Sequence, residues 1–499
     1  MKLFKKLASF ILAFAMVMAI AMPSVVMADG DGSITITGAN PNHTFEAYQI
    51  FAGEVSGKTL SNLKWGNGVN EAGQKELGSA KDNAGQLKTE ANAKEFAYKV
   101  AKYLGTSAGE STPEGKNYKI ENLAPGYYLV KDKDDTVPEA EAYTKFILKV
   151  VGAAEVNVKS EVPTSQKKVK DTNDTTGTTT GWQDSADYDI NDQVPFQLTG
   201  TVAKDFSDYK GAYKLVFHDK ESPGLTFNQG SVEVYVDGTK IVTGYTVKTT
   251  GLEDGCSFEV VFDNLKDIES VHNGSVITVE YTSQLNDKAV IGSTGNPNEM
   301  RMEFSNNPNV EQNGTTTHTP WDKVIVFTYK TIIDKVNSDK EPLAGAAFKL
   351  EKVIKDGENK LIKEFKVSDD PNRTSFEFTG LDDGDYILSE TETPEGYNTM
   401  EPIKFKITAD HEVESDNPTL TGLSGNKVTG EITFTASKDY SSLTAQVVNN
   451  KGSSLPETGG MGTTVLYAAG TLMILAAAAF LVMKKKADSK LYKTIRSVL

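Results

Sequence analysis

Apolar and polar residues alternate with period two along most of this chain. From Ser33 to Phe51 the alternation runs on both sides of a Pro41-Asn42 turn, and it resumes at Tyr118 and continues to about Val158. That is the pattern of half-buried strands. Further strand-like runs follow at Val194–Val202, Tyr213–Asp219, Gly230–Tyr245, Ser257–Phe262 and Ser275–Tyr281, then at Ile333–Lys335 and Thr444–Asn449. Helical periodicity stands out once, over Asn92–Leu104. There Asn92 and Glu95 form a capping box, Phe96, Val100 and Leu104 make one stripe, and Gly105 ends the run. The pattern predicts an all-β chain with a small helical insertion in its first part. The Thr/Gly/Asp-rich stretch from Asp171 to Asp184 carries neither period and reads as a mobile loop.

Two segments are apolar without alternation. Residues 1–28 begin with Lys2, Lys5 and Lys6, continue through Phe10–Ala21 and end on Val26 and Ala28, the layout of a secretory signal peptide. Near the other end, Val465–Met483 is uncharged, and Lys484-Lys485-Lys486 follows. Nineteen residues at a rise of 1.5 Å make roughly 28 Å of helix, enough to cross a bilayer with the lysines on the cytoplasmic side. The 499 residues thus divide into a signal (1–28), three domains (29–160, 161–330, 331–452) and a C-terminal segment (453–499).

A formal net charge of −16 speaks against nucleic acid or an anionic membrane surface as partner. Cys256 is the only cysteine, so an exported chain of this length has no internal disulfide. The five histidines are scattered and form no HExxH pair, and no cofactor or metal is expected. Asp171-Thr172-Asn173-Asp174 lacks the glycine and distal glutamate of an EF-hand and reads as a solvated turn.

Two distant stretches are alike: Leu123-Ala-Pro-Gly126-Tyr-Tyr128-Leu-Val130-Lys-Asp132 and Leu381-Asp-Asp-Gly384-Asp-Tyr386-Ile-Leu388-Ser-Glu390. In the second, Tyr386, Leu388 and Glu390 share a strand face, so an acid follows two apolar residues toward the core unless it sits at the strand's exposed end. A lone buried carboxylate costs several kcal/mol and stays protonated. Together with Leu343-Ala-Gly-Ala-Ala-Phe348 and Glu390-Thr-Glu-Thr-Pro394-Glu-Gly396-Tyr397, this region resembles the collagen-adhesin B-type sandwich of pilins and adhesins. The resemblance implies immunoglobulin-like β-sandwiches in tandem. It also implies an intramolecular isopeptide bond between Lys335 and Asn449, with Asn450 as the competing acceptor and Glu390 as catalyst. Burial would make the lysine a neutral nucleophile and keep the acid protonated.

The middle domain resembles the second isopeptide domain of shaft pilins. Lys167 shares parity with Val169, Asp219 ends the face of Leu215 and Phe217, and Met300, Met302 and Phe304 lead into Asn306. The resemblance therefore implies Lys167, Asp219 and Asn306 as the corresponding set, with Lys168 and Asn307 as alternatives. In the first domain Asp132 stands at the acid's place and Asn157 near the end, but no lysine occurs between residue 29 and Lys58, so no bond is expected there.

Leu455-Pro456-Glu457-Thr458-Gly459, the apolar span and the basic tail together resemble the cell-wall sorting signal read by sortase. Pro456 biases Leu455 toward the extended form that a protease-like cleft accepts. The resemblance implies cleavage between Thr458 and Gly459 and transfer of Thr458 to an amine. In shaft pilins the amine is a lysine at the junction of the first two domains, here Lys159 in Val156-Asn-Val158-Lys159-Ser160-Glu161-Val162-Pro163, although the tryptophan and Tyr-Pro of the usual motif are missing. The implied function is the structural major subunit of a covalent, sortase-assembled pilus anchored to peptidoglycan, whose partners are sortase, identical subunits and peptidoglycan. Minor pilins and a host ligand stay open. The implied enzymology stops at autocatalytic bond formation. The alternative is a monomeric wall-anchored adhesin.

Overall fold

The computed structural model describes residues 32–56, 59–150, 154–158, 162–252, 254–311, 314–452 and 461–495. Apart from one two-stranded hairpin, its strands group into three successive pairs of sheets, spanning residues 32–157, 165–327 and 329–449. In the first pair, Gly32–Thr37 lies between Asn117–Leu123 and, in parallel, Ala154–Asn157. The facing sheet centres on Phe45–Ser56 and Gly126–Asp132. Ile34, Ile36, Phe45, Ala47, Ile120, Tyr128 and Val130 fill the space between the sheets.

The other side of the Phe45–Ser56 sheet is covered by three helices, where the periodicity indicated one. Helix Glu90–Ala101 buries Phe96, Ala97 and Val100, and Phe96 stacks on Phe51 at 5.5 Å. It starts two residues before the expected capping box, because Thr89 caps it by accepting from the Asn92 backbone N–H at 3.2 Å. The additional helices, Glu71–Leu77 and Ala80–Gln86, are capped by Asn70 and Ser79. At seven residues each they are too short to display an apolar stripe.

In the middle domain one sheet runs Ser165–Val169, Gln193–Thr201, Val276–Leu285, Leu225–Val236, Thr239–Ile241. The other places Leu215–Glu221 between Phe258–Phe262 and Asn296–Ser305. The last domain sets Tyr329–Asn337 between Ser375–Leu381 and, in parallel register, Ser442–Asn449. Its facing sheet centres on Ala347–Lys352, Gly384–Glu392 and Ile403–His411.

Both junctions are packed. Between the first and middle domains, Tyr143 N–H donates to the Asn306 carbonyl at 2.8 Å, and Asn309 Nδ2 donates to the Thr144 carbonyl at 2.9 Å. Between the middle and last domains, the stretch read as a mobile loop is a hairpin, Thr172–Asn173 against Thr178–Thr179, held to its neighbour. Thr175 Oγ1 donates to the Val353 carbonyl at 2.9 Å, and the Lys355 N–H donates to the Asp174 carbonyl at 3.0 Å. The tertiary partners that fix this hairpin lie almost two hundred residues away, so nothing in its local composition announces them.

At the C-terminus, helix Met461–Ile495 contains a segment, Val465–Ala487, long and apolar enough to cross a membrane. The signal-like residues 1–28, the pentapeptide Leu455–Gly459 and Lys159 lie outside the described residues.

Candidate sites of internal cross-linking

Glu390 follows the predicted parity, with Tyr386 and Leu388 buried and its own side chain wholly sealed from solvent. Lys335, also fully buried, lies on the facing sheet. Its strand runs parallel to that of Asn449, with Lys335 opposite Val447 and Asn337 opposite Asn449. The Lys335 Nζ reaches along this register to donate to Asn449 Oδ1. Asn449 Nδ2 in turn donates to Glu390 Oε1 at 2.8 Å, and that oxygen is 3.8 Å from Nζ. Glu390 Oε2 is occupied by the Met400 N–H at 2.9 Å and Thr393 Oγ1 at 3.2 Å. The acid therefore touches the carboxamide on its nitrogen. Burial lowers Lys335 to about 8 despite the opposing pull of Glu390, so near neutral pH a useful fraction of the amine is unprotonated. Asn450 is exposed and is not part of this arrangement.

In the middle domain Lys167 and Asp219 meet, both fully buried, with Nζ bonded to Asp219 Oδ2. Burial pushes the lysine down and the acid up, which favours the neutral pair of amine and carboxylic acid. Tyr281 completes the cluster: Lys167 Nζ donates to its hydroxyl at 2.8 Å, and the hydroxyl donates to Asp219 Oδ2 at 2.8 Å. The asparagine that joins them is Asn298, also fully buried, whose Nδ2 donates to the Tyr281 hydroxyl at 2.9 Å.

Asn306 is corrected by this geometry. Its Oδ1 accepts from Thr315 Oγ1 at 2.8 Å and its Nδ2 donates to the Glu141 carbonyl at 3.3 Å, so it serves the junction with the first domain. The row of Met300, Met302 and Phe304 has an asparagine at each end, Asn298 and Asn306. Leu215–Glu221 and Asn296–Ser305 are antiparallel, with Asp219 opposite Met300 and Glu221 opposite Asn298. The late acid therefore faces the early asparagine. Asn298 carries the same parity signal as Asn306, and only the strand direction separates them. The alternatives fall away as well, since Lys168 pairs with Asp184 on the strand's other face and Asn307 caps a turn at the Asn309 N–H. Lys167 thus stands on the opposite sheet from Asp219 and Asn298, whereas Lys335 and Asn449 share a sheet.

In the first domain Asp132 is buried against His43, with Nδ1 and Oδ1 2.6 Å apart, and also accepts from the Thr144 N–H. The described residues also contain groups of acids and histidines close enough to hold a metal ion. Each already has its cation. Lys214 bonds Glu303 beside His218 and His318, Arg301 bonds Asp254, and Lys352 and Lys360 sit among Asp174, Asp189, Asp192 and Asp382. Between Asp171 and Asp187, His411 is raised to about 9 by their hydrogen bonds against the opposing effect of burial, and an imidazolium offers no lone pair to a metal.

Comparison with known proteins bears on the fold and on the C-terminal segment. Residues 330–419 match the SpaA family of prealbumin-like fold domains, and residues 447–490 match the LPXTG cell wall anchor motif. Over 404 residues the chain is 26% identical to the trypsin-resistant surface T6 protein of Streptococcus pyogenes serotype M6, covering 66% of this chain and 70% of that one. The solved T6 backbone pilin of serotype M6 S. pyogenes, described as a modular three-domain structure, superposes with a TM-score of 0.57 at 18% identity, over 86% of this chain and all of that one. The full-length major pilin SpaD of Corynebacterium diphtheriae superposes with a TM-score of 0.50 at 16% identity, over 85% and 98% of the two chains.

Proposed function

We infer that this chain, a cell-wall-anchored backbone pilin by its fold, its sorting motif and its relatives, is joined head to tail through Thr458 and Lys159 and reinforced by two internal isopeptide bonds. Those bonds are Lys167 to Asn298 and Lys335 to Asn449. The monomeric adhesin is not favoured, because relatives that span most of the chain are backbone pilins.

One observation carries the reading: two lysines are sealed in sandwich cores, each held within hydrogen-bond reach of an asparagine or of the hydroxyl that binds it, and each beside an acid. Burying a lysine beside a carboxamide brings little stability by itself, since the desolvation cost is large. The arrangement makes chemical sense as a reacting pair. Neutral Nζ attacks Cγ, the C–Nδ2 bond breaks, a proton passes from Nζ to the departing nitrogen, and ammonia leaves. In the last domain Glu390 Oε1 touches Asn449 Nδ2 and is suited to hand over that proton.

Lys159 suits the intermolecular role because the other lysines near the junction are engaged, Lys167 in the core and Lys168 with Asp184. Wall extracts of cells expressing the protein should show a ladder of SDS-resistant multimers, and Lys159→Ala should reduce it to wall-anchored monomer. A ladder that persists in the variant removes Lys159 from the reading.

A further inference from the structure

The two cross-linking clusters differ in one respect that bears on mechanism. In the last domain an acid oxygen contacts the nitrogen that must leave, Glu390 Oε1 on Asn449 Nδ2. In the middle domain the contact to the corresponding nitrogen, Asn298 Nδ2, is made by the phenol of Tyr281. Asp219 Oδ2 is taken up by Lys167 Nζ and by the Tyr281 O–H itself.

We propose that Tyr281 is a catalytic proton relay for the Lys167–Asn298 bond, carrying the proton from the attacking nitrogen to the departing one; the proposal rests on the cross-link reading above. The phenol oxygen lies 2.8 Å from Lys167 Nζ and 2.9 Å from Asn298 Nδ2, accepting from both, and its own hydrogen points to Asp219. Amide exchange needs one such transfer. Nζ forms a bond to Cγ and becomes cationic, the C–Nδ2 bond cannot break until Nδ2 gains a proton, and ammonia then departs. When the phenol hydrogen turns from Asp219 Oδ2 to Nδ2 as the phenol oxygen takes a proton from Nζ, Tyr281 ends as it began and no external acid or base is consumed. Tyr281 is fitted to this because it is buried and its phenol is held in the protonated form. Asp219, in contact with both Nζ and the phenol, accepts and returns charge as the proton moves. Its second oxygen, Oδ1, and Asn298 Oδ1 are both buried without a partner, which leaves an acceptor on the carboxamide free for a donor as charge builds there. Phe196, Phe227 and Phe258 ring the tyrosine and keep water from substituting as the carrier.

The test uses the full mature ectodomain, with the last domain's bond as an internal clock. Newly made wild-type, Tyr281→Phe and Tyr281→His proteins are sampled over time, and the cross-linked Lys167–Asn298 peptide is quantified by mass spectrometry within the protease-resistant fraction. Tyr281→Phe should slow that bond at least tenfold while Lys335–Asn449 forms at the normal rate, and Tyr281→His, which can both accept and donate, should recover part of the loss. A Tyr281→Phe rate equal to wild type, or a histidine variant no faster than phenylalanine, overturns the relay. A wild-type protein lacking the peptide altogether overturns instead the cross-link reading on which the relay depends.

Discussion

Among the described residues three fully buried lysines have different neighbours and therefore different chemistry. Lys335 faces one acid and a carboxamide, and desolvation dominates, so it is lowered to about 8. Lys352 is equally buried but lies against Asp382, Asp189 and Asp174, whose charges outweigh desolvation and hold it as an ammonium ion. Lys167 resembles Lys335: it is pushed down by burial, and its one close acid is pushed up. Burial thus favours the neutral amine in two of the three, and the surrounding acids keep the third charged. Formation of the Lys335–Asn449 bond should accelerate as pH rises toward about 8 and level off above it, measured as the rate of cross-linked peptide formation after refolding at controlled pH. A rate independent of pH between 6 and 9 would contradict the assignment. Glu390→Ala should leave Lys335 and Asn449 in place and unjoined, with the last domain losing about 5 kcal/mol of loop-closure stabilisation and becoming open to trypsin. The first domain, where His43 occupies Asp132, should be unchanged in the same digest.

At the scale of elements, the sequence revealed the strands and the acids on their faces, because period-two alternation is local and Glu390, Asp219 and Lys167 each continue an apolar row. It did not reveal strand direction. Lys335 and Asn449 sit on parallel neighbours, so an asparagine at the strand's end is in register, whereas Asp219 and Asn298 sit on antiparallel neighbours, which reverses the ends. Nor did it reveal the hairpin Thr172–Thr179 or the cluster beneath it. Lys352 is an alternating residue of an ordinary strand, and its acids come from two domains. Removing one partner of such a buried group leaves the others uncompensated. Lys352→Ala is expected to cost about 3–5 kcal/mol, read as a lower melting temperature of the last domain and faster amide exchange in the hairpin. A change below about 1 kcal/mol would show that the cluster is well hydrated.

At the scale of the molecule, the middle and last domains are tied by titratable groups. His411, on the last domain, lies between Asp171 and Asp187 of the middle one, and Ser185 Oγ is 2.7 Å from its Nδ1. Its folded value, about 9, exceeds the ordinary 6.5. A raised pKa gives stability that is complete below the unfolded value and is lost as pH rises through the folded one. The junction should therefore be firm below about pH 6.5 and loosen by pH 9 to 10, by roughly 3 kcal/mol. Calorimetry of the two-domain unit across that range should show the loss in wild type and not in His411→Gln.

Loads on a fibre of such subunits pass through covalent links only if the internal bonds exist, since Cys256 allows no internal disulfide. The most direct measurement is the intact mass of the mature ectodomain. Two bonds remove two molecules of ammonia, so the mass should fall about 34 Da below that of the unmodified sequence, with about 17 Da of the deficit lost in Asn298→Ala and none in Asn306→Ala. A mass equal to the unmodified sequence would contradict the account.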